Sequence, residues 1–299
     1  MITSVTVTDL ITYPVKSCAG ISLLEAAVTP RGLHLDRDFM LVDDDGTFVS
    51  QRTVPQLALV TPSLRAMSVA LSAPGMEPIE VPYELGESTH PRIECTVHGR
   101  EVVGELVGEA LDEWFTTFLP TYKQNCRFRL VRVCEDAPRF IKDRYQLEQA
   151  TNQVGFADGN SMLLANERSL AQLNTLLENP VPMNRFRPNI VVDGPELAAY
   201  EEDSWSRLEI GPMTAFVVKA CDRCPVPDTD QKTAVVGKAV RRALVSRKGV
   251  NAFDPTNKGV FFAQNLNHVW TPGLTLRVGD DIRVIERLDH PNVVLSARS

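Results

Sequence analysis

The chain has 299 residues, of which 43% are hydrophobic, and a formal net charge of -7 at neutral pH. This length and apolar content can bury a sizeable core in one large or two intertwined domains, which excludes a disordered chain. The acidic balance argues against a general nucleic-acid binder, which presents a basic surface, and suits a small-molecule protein.

Met1-Ile2-Thr3-Ser4 lacks the basic n-region and apolar core of a secretion signal, and no apolar run approaches the roughly 20 residues of a membrane span. Neither a membrane nor a nucleic acid is expected as a partner. The six cysteines, Cys18, Cys95, Cys126, Cys134, Cys221 and Cys224, are therefore expected as thiols in a cytoplasm rather than as a disulfide framework.

Residues 4 to about 96 read mostly as strands. Val5–Val7 alternates, and Phe39–Val42 and Thr47–Val49 flank Asp43-Asp44-Asp45-Gly46, a hairpin signal. Ile93–Val97 and Glu101–Val103 flank a second turn at His98-Gly99-Arg100. Between Gly108 and Leu119 the period changes: Leu111, Trp114, Phe115 and Phe118 fall at i, i+3, i+4 and i+7 and predict a helix. Arg127–Val133 alternates again. The charged segment from Glu135 to about Gly155 reads as a crossover between lobes, and it sets the expected domains at 1–134 and 135–299.

In the second half, Asn166 can cap a helix carrying Leu170, Leu173 and Leu177 and ending at Asn179-Pro180. Strands are predicted at Asn189–Val192, Arg207–Ile210 and Ala215–Val218, the last two joined through Gly211-Pro212. Val236, Val240 and Leu244 suggest a further helix with Lys238, Arg241 and Arg242 on its other, solvated face. Pro272–Val284 holds two alternating strands about a Gly279-Asp280 turn. Many short strands with a few helices at the seams predict a barrel-like, mainly β fold with α additions, not a doubly wound sheet.

Chemistry concentrates in Lys219-Ala220-Cys221-Asp222-Arg223-Cys224-Pro225, with Val226-Pro227-Asp228-Thr229-Asp230 following. A thiolate is a soft metal ligand and a strong nucleophile, and a neighbouring arginine lowers a thiol's pKa. Two ordinary buried cysteines are the plain alternative. A structural zinc site needs four ligands, yet no second CxxC and no HxxxH pair accompanies this one. A thioredoxin-type pair would start a helix, which Pro225 and Pro227 oppose. His34, His90, His98, His268 and His290 stand isolated and receive no role. No GxGxxG, GxxxxGK[ST] or GxSxG element is present.

Polar fragments are embedded in the apolar strands and turns: Tyr13-Pro14-Val15-Lys16-Ser17-Cys18, Asp36-Arg37-Asp38-Phe39, Ser50-Gln51-Arg52, Asp158-Gly159-Asn160 and Phe186-Arg187-Pro188-Asn189. Together they offer the cations, amides and backbone N–H groups that a buried phosphate and a polar heterocycle need.

In this order, with Ser169–Asn174, Glu202–Trp205, the CDRC element, Phe262–Asn265 and Val278-Gly279-Asp280, the fragments resemble the MOSC family. The likeness is to its long forms, in which an N-terminal β-barrel domain precedes the MOSC domain, as in the mitochondrial amidoxime-reducing components and YcbX-like proteins. The resemblance implies an α+β, mainly β fold, a MOSC β-barrel packed with an N-terminal β-barrel-like domain. It implies a molybdenum–molybdopterin cofactor with Cys224 as the catalytic protein ligand of the metal, which cycles between its +6 and +4 states, and it leaves Cys221 without an assigned role. It further implies that Lys16, Ser17, Arg37, Gly159, Asn160, Arg187, Asn189, Asp222 and Arg223 surround the pterin and its phosphate. The activity implied is oxygen-atom removal from an N-hydroxylated or related N-oxide or S-oxide small molecule. Amidoxime-reducing members often carry Thr-Ser where this chain has Gly159-Asn160, and Ser in place of Asp222. No Cys-x4-Cys-x2-Cys run for an iron–sulfur cluster follows, so electrons are expected from a separate donor protein. The alternatives are a stand-alone sulfur carrier using a cysteine persulfide, and a molybdopterin carrier.

Overall fold

The computed structural model describes residues 5–85, 90–123, 126–251 and 254–295. Its first half contains Val5–Thr12 (β1), Ile21–Leu23 (β2), Glu25–Thr29 (β3), Gly32–Leu33 (β4), Phe39–Val42 (β5), Thr61–Leu64 (β6), Ser68–Ser72 (β7), Ile79–Pro82 (β8), Arg92–Val97 (β9), Arg100–Leu106 (β10), Glu109–Phe118 (α1) and Arg129–Val133 (β11). The second half continues with Arg139–Phe140 (β12), Gln153–Val154 (β13), Met162–Asn166 (β14), Glu167–Asn174 (α2), Ile190–Asp193 (β15), Trp205–Ile210 (β16) and Met213–Asp222 (β17). Ala239–Leu244 (α3), Lys248–Asn251 (β18), Asp254–His268 (β19), Thr275–Arg277 (β20), Asp281–Arg287 (β21) and Val293–Leu295 (β22) complete it. The fold is mainly β, as the alternating patterns predict.

Seven strands close into a barrel in the order β14-β15-β1-β21-β16-β17-β19, with β19 pairing back onto β14. Closure removes the exposed edges that an open sheet of this size would present. Leu10, Leu164, Ile190, Trp205, Leu208, Ile210, Ala215 and Leu266 belong to one buried cluster drawn from all seven strands. A second module pairs β5-β11-β10-β9 in one sheet and β6-β7-β8 in another. Phe39, Leu57, Leu71, Phe115 and Phe128 form its separate core, to which the apolar stripe of α1 contributes Leu111 and Trp114.

The two modules share the chain's opening segment. β1 lies between β15 and β21 in the barrel, and β3 pairs with β20 and adds Ala26 and Val28 to the barrel's core, before the chain enters the other module. The Tyr13–Ser17 stretch that follows β1 is stitched to the second module by a Val15–Phe39 bridge. A polar segment is thereby placed at the seam.

Local signals translate well where they are self-contained. The β9–β10 hairpin turns through His98 (φ 51°) and Gly99 (φ 73°), the two left-handed residues that a two-residue hairpin demands. Asn166 caps α2, its Oδ1 accepting from Arg168 N–H at 2.8 Å. Three expectations need correction. First, α2 stops at Asn174, not Asn179, because the Asn174 side chain closes a loop by bonding both backbone groups of Val181. Second, Val236 lies outside α3: it bridges Thr229 and is 53% exposed. Third, the strands about Gly279-Asp280 do not pair with each other. Gly279 N–H bonds the Val7 carbonyl and Val278 N–H the Leu24 carbonyl, which divides them between β3 and β1.

Candidate functional site

β17 carries the two thiols, and irregularities in its pairing decide where they point. Buried residues Met213, Ala215 and Val217 alternate inward, then the phase reverses to Val218 and Ala220. A bulge between Val217 and Lys219 in the pairing with β19 accounts for the reversal, and a second lies between Ala220 and Asp222. Lys219 and Cys221, inward in the original phase, are turned off the barrel interior. Arg223 N–H still bonds the Val260 carbonyl at 2.8 Å, so the strand's hold on β19 extends one residue further. Pro225 then opens a tight turn over Val226–Asp228 and leaves Cys224 at the corner.

The thiols differ. Arg223 Nη1 donates to Cys221 Sγ at 3.0 Å and Nη2 to the Phe186 carbonyl at 2.8 Å. Burial pushes the Cys221 thiol up and Arg223 opposes it. Cys224 is half-buried, and among the described residues its sulfur makes no hydrogen bond. Cys18 is fully buried and its thiol is pushed up to about 12 by burial, which makes it unreactive at neutral pH.

Opposite the thiols, Arg37 and Arg187 each place a guanidinium 4.3 Å from the Tyr13 ring. Ser17, Arg37 and Arg187 all adopt left-handed backbone conformations, with φ of 71°, 53° and 57°. Such conformations cost of order 1–3 kcal/mol each in non-glycine residues and cluster at ligand clamps. Arg37 is committed internally: it donates to Asp36 Oδ2 at 2.5 Å, Asn189 Oδ1 at 3.0 Å and the Arg187 carbonyl at 3.2 Å. Asn189 in turn donates to the Ile11 carbonyl at 3.0 Å and Asp36 Oδ1 at 2.9 Å. These bonds fix the backbone under Arg187. Arg187 itself keeps a buried Nη1 without a partner, and burial pushes its pKa down to about 10 against the pull of Tyr13.

Lys16, 5% exposed, donates to the Phe156 carbonyl at 2.8 Å and forms an ion pair with Asp158. Asp158 also meets His98 Nε2 at 3.1 Å and Arg52 Nη2 at 3.4 Å. Burial works to raise its pKa, but Lys16 and His98 outweigh that and hold the carboxyl well below the usual range. Gln51 ties the seam together: its Nε2 donates to the Ser17 carbonyl at 2.6 Å and to Gln231 Oε1 at 3.0 Å.

Arg52, Asp158 and Cys221 line one cleft of about 770 Å³ at the module seam, while Tyr13, Asp36 and Gln51 back it and His98 lies outside it. Lys16, Ser17, Arg37, Gly159, Asn160, Arg187, Asn189, Arg223 and Cys224 are all on its wall. Asp222 is not: it lines a wider adjoining space of about 1430 Å³, ion-paired to Lys219 at 3.0 Å. Phe48, Phe186 and Met162 supply apolar wall. Asn160 is buried with both amide atoms unpartnered, and Arg223 Nε is likewise orphaned. Buried polar atoms left unpaired cost free energy, so a polar ligand is what this wall suits. An open position beside Gly159, where a Cβ would meet nothing within 4 Å, adds room.

Sequence reasoning had no role for Tyr13, Asp158, Arg52 or Gln51, although each sits in a fragment it singled out. His98, read in the sequence only as a turn residue, and Arg139, in the charged crossover segment, line the wider adjoining space. Elsewhere, Glu105, Cys134 and Asp136 gather as possible metal ligands, but Arg92 sits among them at 3.2 Å from Glu105 and 3.0 Å from Asp136.

Among known proteins, residues 4–122 match the MOSC N-terminal beta barrel domain and residues 151–283 the MOSC domain. The chain is 34% identical over 285 residues to mitochondrial amidoxime reducing component 2 of Bos taurus, covering 93% of this chain and 82% of that protein. It is 32% identical over 289 residues to mitochondrial amidoxime-reducing component 1 of Homo sapiens, covering 94% and 83%. Mitochondrial amidoxime-reducing component 1 of Mus musculus is 33% identical over 290 residues, covering 94% and 82%.

Proposed function

Because the chain belongs to the MOSC family, in the form that joins a MOSC N-terminal beta barrel domain to a MOSC domain, we propose that it is a molybdenum-dependent reductase of N-hydroxylated small molecules. Amidoximes and hydroxylamines are the leading substrates, with related N-oxides and S-oxides next. The observation that carries the reading is the cleft wall itself: unpartnered buried atoms of Asn160, Arg187 and Arg223 around a space that reaches the half-buried thiol of Cys224. The names of the relatives, amidoxime-reducing components, support the reaction class.

The donor set fits a molybdopterin. Arg187, Lys16 and the left-handed Ser17 backbone suit its phosphate. The Asn160 amide, one donor group and one acceptor, suits a pterin edge. Arg37 and Asn189 act at one remove, holding the Arg187 backbone through their own hydrogen bonds. Cys224 would ligate the metal through its sulfur, a soft donor that suits it. When bound, the cofactor supplies the two-electron redox chemistry that the side chains lack. The protein binds and orients it, while Phe48, Phe186 and Met162 keep water from the inner wall. Electrons would come from a separate protein. A cytoplasm suits the six cysteines, all free thiols.

The test is metal content and turnover together. Protein from a host that makes molybdopterin should carry near-stoichiometric molybdenum by plasma mass spectrometry and reduce benzamidoxime with a reduced viologen dye. Cys224→Ala should lose both, and Cys221→Ala should keep its metal. Full metal in Cys224→Ala overturns the ligand assignment. A folded, metal-free wild type overturns the reductase and favours a persulfide carrier.

A further inference from the structure

We infer that the wider space beside Cys224 is a subsite for the substrate's own negative group, a carboxylate or phosphate, seated against Arg139 with Arg100 and Lys142 beside it; this rests on the reductase reading above. Seven Lys and Arg side chains line that space against two carboxylates, Asp158 and Asp222. So positive a lining runs against the chain's net charge of -7. Such a recess concentrates anions and orients them.

The two carboxylates are already engaged, Asp158 with Lys16, Arg52 and His98, and Asp222 with Lys219. Among the described residues Arg100, Arg139 and Lys142 have no carboxylate partner. Arg139 is nevertheless fixed. Its Nη1 donates to the Gly155 and Ala157 carbonyls at 3.0 and 2.5 Å and its Nη2 to the Asp158 carbonyl at 3.3 Å, while its Nε is buried without a partner. Arg100 is steadied by the Phe140 carbonyl at 2.9 Å. Main-chain carbonyls hold a guanidinium in place without neutralising it. Burial pushes the Arg139 pKa down to about 10, with the Arg100 charge acting in the same direction, so a bound anion would relieve both.

The carbonyls come from the segment that leads directly to Gly159 and Asn160, which ties the cation to the inner cleft wall. Cys221, Arg223 and Cys224 line both spaces. An anion-bearing substrate seated here therefore presents the rest of its body toward the thiols. A half-buried guanidinium held against the wall suits a small anion entering the space better than a protein surface covering it.

The test compares benzamidoxime with 4-carboxybenzamidoxime on the holoenzyme, using a viologen donor. The wild type should prefer the carboxylate, and added salt should erode the preference. Arg100→Glu and Lys142→Glu, both outside the inner cleft, should lower kcat/KM for the carboxylate by at least about tenfold, mainly through KM, and change the neutral substrate by less than about twofold. Arg139→Gln should also weaken the carboxylate substrate, and because Arg139 holds the segment leading to Asn160, the selectivity is read from the other two variants. Equal effects on both substrates, or none, overturn the subsite. So does slower reduction confined to a protein donor. If neither amidoxime is reduced, the reductase reading fails separately. Calorimetric titration with 4-carboxybenzamide against benzamide then decides the subsite: binding that depends on the carboxylate and is lost in Lys142→Glu supports it, and its absence overturns it.

Discussion

Arg187 shows what a single side chain can and cannot announce in advance. Its place in Phe186-Arg187-Pro188-Asn189 marked it as a candidate, and the structure puts it on the cleft wall with a free buried Nη1. The same reasoning grouped it with Arg37 and Asn189, yet these spend their hydrogen bonds on Asp36, Ile11 and the Arg187 carbonyl. Composition cannot separate a cation reserved for a ligand from one that closes an internal network, because the difference lies in geometry across distant segments. Asp222 is the converse: the motif includes it, but its ion pair with Lys219 and its position place it on the outer space. Arg187→Ala should therefore release cofactor, while the apo fold loses the contact with the Tyr13 ring but no hydrogen bond from Nη1. A loss of about 1.5–3 kcal/mol of charge-assisted hydrogen bonding corresponds to about tenfold or more in cofactor retention. Pterin content by fluorescence after oxidation, beside the thermal midpoint of the apoprotein, checks this; wild-type pterin stoichiometry would remove Arg187 from the pocket. Arg37→Ala should instead lower both pterin and midpoint, because a buried Asp36 would lose its partner.

At the scale of elements, capping and turn signals were legible because they are local, as at Asn166 and at His98-Gly99. What the local pattern left out is how those ends are tied. Glu202, in the turn Glu201–Ser204, accepts from Asn166 Nδ2 at 2.8 Å and from Ser169 Oγ at 2.7 Å, so it clamps the start of α2. Its neighbour Asp203 is paired with Arg247 and Gln264. Burial first, and the Asp203 charge second, push the Glu202 pKa from 4.5 up to about 7. A carboxyl whose folded pKa is raised favours the native state while protonated. Its contribution is complete below pH 4.5 and is lost as pH rises through about 7. The difference is on the order of 3 kcal/mol, at about 1.4 kcal/mol per unit. Glu202→Gln, which keeps an acceptor and carries no charge, should flatten this part of the profile. Urea unfolding of both proteins from about pH 4.5 to 8 should show the wild type losing stability relative to the variant as pH rises. Parallel profiles would show that Glu202 titrates normally.

For the whole molecule, strand identity could be read but strand partners could not. Alternation tells which side of a strand is buried without telling what it is buried against. The patterning changes near residue 134, yet β1 sits between β15 and β21 in the barrel and β3 pairs with β20 near the other end of the chain. Pairings of such sequence separation leave no local trace. They also carry a consequence for folding. A chain of residues 135–299 lacks β1 and β3, which opens the barrel at two edges and removes Val7, Leu10, Ala26, Val28 and Leu33 from its core. At about 1.5–3 kcal/mol per buried side chain the loss is on the order of 10 kcal/mol, comparable to the whole stability of a typical domain. The fragment should therefore lack a cooperative unfolding transition and show poor amide dispersion by NMR. Fusing residues 5–35 to its N-terminus through a flexible linker should restore both, because the segment brings the missing strand and its five side chains. The site should remain incomplete in that fusion: Arg37 is missing from it, and the Lys16 and Ser17 backbones lose their bonds to the Phe39 carbonyl and the Gln51 amide, which hold the seam from the other module. A fusion that folds but retains little pterin would place the barrel's stability in the first strands and the cleft's assembly in the contact between modules. A fragment that folds cooperatively without residues 5–35 would show instead that the barrel closes by other pairings.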